Sequence, residues 1–365
     1  MEDRKKNNGT FGRIVRRVLA LPVTVILIVA AIIVFLSLTE YRPQAIEEAE
    51  IFRAAENGLS EGGTLRVMTW NIGYGALGDN ADFFMDGGNM VRTADEARVR
   101  RNLKDISSAI ADAEPDVLLV QEIDLDSTRS YHIDEFAELQ DTLPGMDSAF
   151  ARNFSVRYLP YPVPPIGKVE SGVAVFSRYA LSQAERVQLP IPFSWPIRMA
   201  NLKRCALVTR VPLDDSGREL VLISLHLEAF DSGEGKIAQT KALAELLKEE
   251  AGKGNYVIAG GDFNQIFTSV QSAWPVAEGL WAPGEIDVSQ LGSGWQCLMD
   301  DSVPSCRSLD RPYAGADRDA FQYYLIDGFI ISGDLEVVSL ETMDLGFTAS
   351  DHNPVLLEVA VPAAQ

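Results

Sequence analysis

Tyr256-Val257-Ile258-Ala259-Gly260-Gly261-Asp262-Phe263-Asn264 is a short apolar run that stops on two glycines and then delivers two polar side chains. Its length, its β-branched start and its glycine boundary read as a buried strand rather than a helix. Side chains alternate along a strand, so Asp262 and Asn264 leave it on one face and Phe263 on the other. Gly260 and Gly261 let a second backbone or a ligand approach closely. An Asx turn leaving a strand would use the same residues. What sets the stretch apart is that the chain repeats its form.

Working outward, Asn71 follows the apolar Leu65–Trp70, Glu122 closes Val117–Gln121, and His226 ends Val221–Leu225. Ser350-Asp351-His352-Asn353-Pro354 precedes a last apolar run. Each puts a carboxylate, amide or imidazole where a buried strand emerges, a rigid place for chemistry. An oxygen ligand such as Glu122 suits Mg²⁺, which takes one or two carboxylates and keeps several waters. Taken singly, Glu122 reads more readily as a solvated strand end and His226 or His352 as a hydrogen-bonded structural residue, and Asn71 reads also as the cap of the turn into Gly73-Tyr74-Gly75. Asp327 is harder to explain away. It lies inside Leu325–Ile331, and a carboxylate in a buried strand is costly unless paired. His352 is its natural partner, because a carboxylate–imidazole pair keeps the ring protonated to stabilise charge developing on a phosphorane. His132, the third histidine, reads as a surface residue at a helix start.

Strand-like runs recur from Thr64: Leu65–Trp70, Val117–Gln121, Gly172–Ser177, Cys205–Val211, Leu220–His226, Tyr256–Gly260, Tyr323–Ser332, Leu335–Leu340 and Val355–Val361. Helical periodicity covers Ala94–Ala113 and Lys236–Ala251, with a shorter helix at Asp134–Leu143. Many strands and few helices predict an α/β fold of two mainly antiparallel sheets packed face to face, with helices outside. Two irregular stretches interrupt it. Tyr158–Gly167 carries four prolines, and Gln265 to about Asp319 carries Trp274, Trp281, Trp295 and Tyr313, a length and content that suggest function rather than disorder.

Val18–Thr39 has no charged residue and, at roughly 1.5 Å per residue, spans about 30 Å. The positive-inside rule makes residues 1–17 a basic cytoplasmic tail, 18–39 an uncleaved single-pass signal-anchor helix, 40–63 a linker with helical character, and 64–365 an extracytoplasmic globular domain at the cell membrane. A cleaved signal peptide is the alternative, set against an apolar run longer than an h-region.

The net charge is −20; residues 1–43 hold seven Lys/Arg against three acids, so the remainder carries about −24. Such a surface repels a polyanion at long range and disfavours a nucleic-acid substrate, although a divalent ion inverts the field locally. Three cysteines give no disulfide framework. Cys205 reads as a small core residue, while Cys297 and Cys306 are free or paired with each other.

In this order the segments Thr69-Trp70-Asn71, Val120-Gln121-Glu122, Ser224-Leu225-His226, Gly261-Asp262-Phe263-Asn264, Ile326-Asp327-Gly328-Phe329 and Ser350-Asp351-His352 resemble the endonuclease/exonuclease/phosphatase superfamily, of deoxyribonuclease-like and sphingomyelinase-like fold, which has membrane-anchored bacterial members. The resemblance implies a four-layer α/β sandwich and Mg²⁺-assisted attack of water on a phosphate ester, with Mn²⁺ as a substitute ion. It implies Glu122 as main metal ligand completed by Asn71 and Asp351, Asp262 as activator of water, and Asn264 as a phosphate contact. His226 and His352 then form the phosphate-stabilising pair, with Asp327 supporting His352. Several nuclease members carry an acid two places after the Trp-Asn asparagine, where this chain has Gly73. The expected substrate is a phosphate ester, a lipid headgroup or small phosphorylated molecule. The alternatives are an extracytoplasmic nuclease and a binding module that has lost its chemistry.

Overall fold

Two seven-stranded sheets lie face to face. The computed structural model describes residues 3–213, 217–231 and 233–363, with side chains from Ala20 onward, so the side chains of the basic tail lie outside the described residues. The first sheet runs, edge to edge, Glu336–Thr342, Val355–Ala360, Thr64–Asn71, Val117–Asp124, Gly167–Ser177, Asp147–Leu159, Ile51–Phe52. The second runs Ile46–Glu48, Gln183–Gln188, Cys205–Pro212, Glu219–His226, Tyr256–Asp262, Asp327–Ser332, Trp295–Leu298. Each sheet contains one parallel pair among antiparallel neighbours: Thr64–Asn71 beside Val117–Asp124, and Glu219–His226 beside Tyr256–Asp262. A parallel pair needs a crossover. The helices Glu96–Ala113 and Glu234–Gly252 supply the two crossovers, one on the outer face of each sheet.

Alternation along the strands builds the layers. Leu65 and Val67 point between the sheets, whereas Met68 and Trp70 face Val99, Leu103, Ile106 and Ile110 of the first crossover helix. In the second sheet Tyr256 and Ile258 point inward, while Val257 and Ala259 pack on Leu243 and Leu247 of the other helix. Gly260 occupies a tight crossing: a Cβ there would sit 2.6 Å from the Phe329 ring and 2.9 Å from Leu119 of the opposite sheet. The central layer is apolar at one end and turns polar toward the other. Gln121 donates to Thr69 Oγ1 at 3.2 Å and to Ser224 Oγ at 3.3 Å, which ties the sheets together just beneath the ends that carry Asn71, Glu122 and Asp262.

The expected sandwich and helices are present, with Asp95 and Asp134 as N-caps of Glu96–Ala113 and Glu135–Thr142. Three details differ from the expectations, and a fourth decides an alternative left open. Residues 46–52 are not helical; they form two short edge strands, one on each sheet, pairing with 185–187 and 148–149. Asp147–Leu159, Gln183–Gln188 and Trp295–Leu298 are additional strands. The Val117 strand does not stop at Gln121 but continues through Asp124 past a bulge at Glu122. All three cysteines are free, so no Cys297–Cys306 bond forms. The N-terminal helix Asp3–Thr39 includes Ala20–Thr39, a stretch long and apolar enough to cross a membrane and compatible with an anchor.

Candidate active site

The four strands of the two parallel pairs all end at the same edge of the sandwich. The carboxyl ends of parallel strands are where open α/β sheets leave a crevice, and here they carry Asn71, Glu122, His226 and Asp262. Register makes this explicit: Asn71 pairs with Gln121, Asp262 with His226 on one side and with Asp327 on the other. His352 and Asp351 arrive from the loop before the Val355 strand, where Trp70 Nε1 donates to the His352 carbonyl at 2.9 Å and Ser350 Oγ to the Asn71 carbonyl at 2.8 Å.

All eight side chains singled out from the sequence share the wall of one cavity or touch those that do. Asn71 Nδ2 stands between Glu122 Oε1 (3.3 Å) and Asp262 Oδ2 (3.1 Å), and 3.4 Å from His352 Nε2. Its side-chain oxygen accepts from the Gly73 amide at 3.1 Å. His226 Nε2 is 3.3 Å from Asp262 Oδ2, and its Nδ1, which has no hydrogen-bond partner, is 3.9 Å from Glu122. His352 donates from Nδ1 to Asp327 Oδ2 at 2.8 Å and presents Nε2 to Asp262 Oδ2 at 3.8 Å. Asn264 gives its backbone N–H to Asp262 Oδ1 and its amide to the Leu227 carbonyl. Glu122 and Asn264 both hold left-handed backbone, φ 52° and 51°. Non-glycine residues seldom adopt it, and such strain concentrates at functional sites.

Burial and charge set the protonation states. Burial, then Arg204 and His352, push His226 well below the ordinary imidazole value, so it is neutral. Burial opposes charge on His352 as well, but Asp327 foremost, with Cys306 and Asp351, outweighs it and holds His352 well above that value. Burial and Asp327 push Asp262 up to about 7 against His352 and the Asn264 and Asn71 hydrogen bonds. Burial and Glu122 push Asp351 up to about 6 against His352 and Arg307. Asp86, on the cavity wall, is raised to about 7 by burial and by Asp351 and Glu122.

Asp86, Asp262 and Asp351 are each raised by burial and by a neighbouring carboxylate, an environment in which a divalent cation would favour their charged forms. Two groups of candidate ligand atoms lie within 4.8 Å of one another, Cys306–Asp351–His352 and Asp262–Asp327–His352. Burial lifts the Cys306 thiol to about 12, so it stays protonated and is a poor ligand for a hard ion. The second group is already committed to the Asp327–His352 hydrogen bond. Asp351 and the half-buried Glu122 both line the cavity as candidate oxygen ligands.

Several residues on this wall escaped the sequence reading. Arg204 donates to the His226 carbonyl at 3.4 Å and lies 3.7 Å from Glu228. Arg129 stacks 3.6 Å over the Tyr74 ring and is held by both Asp124 oxygens. Glu228 lies two residues past His226, so alternation pointed to it; Arg129 lies in a turn and Asp86 in the single-turn 3₁₀ helix Phe84–Asp86, with no periodic signal. His132 is on the surface beside Asp126, as expected.

The model of the Endonuclease/Exonuclease/phosphatase family matches residues 68–352, most of the chain. The chain belongs to that family. Its fold is similar to an endonuclease/exonuclease/phosphatase from Beutenbergia cavernae (18% identity, TM-score 0.55, covering 82% of this chain and 72% of that one). It is also similar to one from Bacteroides vulgatus (17%, 0.52, 82% and 99%) and to the human Nocturnin catalytic domain with bound sulfate anion (18%, 0.50, 85% and 96%). No curated protein matches the chain. Members of the family hydrolyse phosphoester bonds, and such chemistry in this fold generally uses divalent metal ions.

Proposed function

We propose that this chain is a Mg²⁺-dependent phosphoric ester hydrolase, a phosphodiesterase or phosphatase, with Mn²⁺ able to replace Mg²⁺. Residues 1–17 lie in the cytoplasm, 18–39 span the membrane, 40–63 connect while lending an edge strand to each sheet, and 64–365 work at the outer face. The observation that carries the reading is the meeting of Asn71, Glu122, His226, Asp262, Asn264, Asp327, Asp351 and His352 at one end of both sheets, around a cavity of about 690 Å³.

Glu122 and Asp351 would hold the metal ion; Asn71, expected as a third ligand, has its side-chain oxygen on the Gly73 N–H and its amide between Glu122 and Asp262, so it braces Glu122 instead. When bound, the ion supplies Lewis-acid polarisation of a phosphoryl oxygen and neutralises charge. Asp262 then takes the proton of the attacking water; its Oδ2 accepts from Asn71 Nδ2 and lies 3.3 Å from His226 Nε2, and its Oδ1 is fixed by the Asn264 N–H. Protonated His352, held by Asp327, stabilises charge on the non-bridging phosphoryl oxygens, and neutral His226 steadies Asp262 and the phosphate from the opposite side. Asn264 aligns a phosphate oxygen through the second hydrogen of its side-chain amide, the first being held by the Leu227 carbonyl.

The test uses the full chain in detergent against phosphomonoesters, phosphodiesters, phospholipids and plasmid DNA, with and without Mg²⁺. Metal-dependent release of product, lowered at least three decades (about 4 kcal/mol of barrier) by Asp262→Ala, supports the reading. Turnover unaffected by chelation overturns the metal role, nicking of plasmid alone turns the reading to a nuclease, and no hydrolysis of any ester leaves a binding module.

A further inference from the structure

Away from its polar end the cavity is apolar, walled by Phe83, Phe84, Phe154, Leu202, Trp281 and Tyr324. A polar sugar or polyphosphate would find few hydrogen-bond partners on those walls and would lose hydration there. The apolar lining continues to the surface through two loops. Leu159, Tyr161 and Ile166 bring it out on one side, Ile197 and Ala200 on another.

Both loops are uncharged and rich in proline in a chain that is otherwise strongly acidic. Residues 158–167 read Tyr-Leu-Pro-Tyr-Pro-Val-Pro-Pro-Ile-Gly, and 189–197 read Leu-Pro-Ile-Pro-Phe-Ser-Trp-Pro-Ile. They also turn their large side chains outward: Val163 is 91% exposed and Tyr161 71%, and Trp195 and Ile197 are more than half exposed. Of the thirteen large apolar side chains exposed beyond the N-terminal helix among the described residues, six fall in these two loops. Apolar patches of this kind on a soluble surface mark a contact surface.

The same loops dock on that helix. Trp195 Nε1 donates to Ser37 Oγ at 3.2 Å, Arg198 Nε reaches Glu40 at 3.1 Å, and Tyr158 and Pro160 share a shallow cleft with Ile28, Ala31, Ile32 and Phe35. Counting back from Thr39 at roughly 1.5 Å per residue, Ile28 lies about 16 Å along the span, near the middle of a hydrocarbon layer about 30 Å thick. A loop packed beside Ile28–Phe35 therefore stands within the outer leaflet when the helix spans the membrane. Irregular backbone is costly in lipid because its N–H groups go unsatisfied. Seven prolines in the two loops remove seven of those donors. Tyr and Trp are the residues that settle at the headgroup level.

We propose that residues 158–166 and 190–197 dip into the outer leaflet beside the helix and open the cavity to the bilayer, so that the substrate is a phosphate ester of a membrane lipid. The lipid enters sideways, its acyl chain against Phe84, Phe154 and Tyr324 and its ester bond toward Asp262. The substrate assignment rests on the hydrolase reading above; the insertion of the loops rests only on the helix spanning the membrane.

The experiment reconstitutes the full chain in phosphatidylcholine–phosphatidylglycerol vesicles and has two arms. In the first, Val163→Cys in a Cys297→Ser background carries an environment-sensitive fluorophore. Blue-shifted emission quenched by lipids spin-labelled along their acyl chains is expected, and water-like emission without quenching overturns the insertion whatever the activity. In the second, Val163→Asp, which touches neither the cavity nor the core, is compared with the parent on bilayer phospholipid and on a water-soluble aryl phosphate ester with Mg²⁺. At least a tenfold loss on bilayer lipid, with the soluble ester unchanged, is expected. Equal loss on both, parental turnover of lipid, or cleavage by the parent of soluble esters only overturns the lipid assignment. A parent inert toward every ester overturns the hydrolase reading itself, and the fluorescence arm then still decides the loops.

Discussion

Replacing Asp327 by Asn tests the electrostatic logic of the pocket at one atom pair. His352 Nδ1 and Asp327 Oδ2 are 2.8 Å apart and both side chains are buried, 6% and 1% exposed. The amide of Asp327→Asn keeps the size and still accepts the Nδ1 proton, so the ring stays in place while its counter-charge disappears. Burial, which already opposes the imidazolium, then goes largely unopposed, and His352 falls from well above 6.5 to below it. At pH 7 the phosphoryl oxygens lose their cationic partner. Loss of one preorganised stabilising group costs about 10²–10³ in kcat, about 3–4 kcal/mol. The assay is kcat/KM for the best ester across pH 5–10 with Mg²⁺, together with imidazole NMR titration of the metal-free protein. Only three histidines need assignment. In the parent, activity should fall on the alkaline side as His352 deprotonates; in the variant that limb should move to lower pH. A variant within threefold of the parent, or one whose His352 still carries its proton at pH 8, refutes the reasoning.

Mg²⁺ at a hundred times its dissociation constant should stabilise the parent by about 2.7 kcal/mol, seen as a rise in melting temperature of about 5 °C, and Glu122→Gln should abolish the rise. Gly261→Ala would drive a Cβ to 1.9 Å from the Leu225 carbonyl oxygen, from a backbone at φ +156°. A loss of about 3 kcal/mol in denaturant unfolding and a displaced Asp262 with reduced kcat are expected; a change under 1 kcal/mol contradicts it. Glu250 is buried and bound by Arg210, Lys253 and Asn255, which overcome the burial cost and lower it from 4.5 to about 2. Because the folded value lies below the unfolded one, its contribution is complete above pH 4.5 and is lost as pH falls toward 2. Up to about 3 kcal/mol of pH-dependent stability in that window should vanish in Glu250→Gln, measured by urea melts at pH 5 and pH 2.5.

The central strands were legible because they are apolar, short and terminated by the residues that matter; Asp262, His226 and Asn71 each end one. Their convergence was not legible from any one of them, since it depends on two parallel pairs ending at the same edge. The edge and outer strands hid for physical reasons. Ile46–Glu48 and Ile51–Phe52 bury little, so glutamates are tolerated and no alternation shows. Gln183–Gln188 turns Arg186 inward, where it donates to the backbone carbonyls of Arg152 and Lys203, so a buried position carries a charged letter. The bulge at Glu122 broke the strand pattern at the one residue whose aim depends on it. Arg204 and Arg129 act through contacts distant in sequence, which periodicity does not register.

Asn71 and Glu122 rise from one sheet and His226, Asp262 and Asp327 from the other, and His352 joins only as the Val355–Ala360 strand zips against Thr64–Asn71. Catalytic competence is thus withheld until the two halves have closed and the final strand is seated. A chain folded only as far as residue 349 would hold the amide, the glutamate and the two strand-end aspartates, yet lack both the Asp351 carboxylate and the imidazole that Asp327 waits to hold.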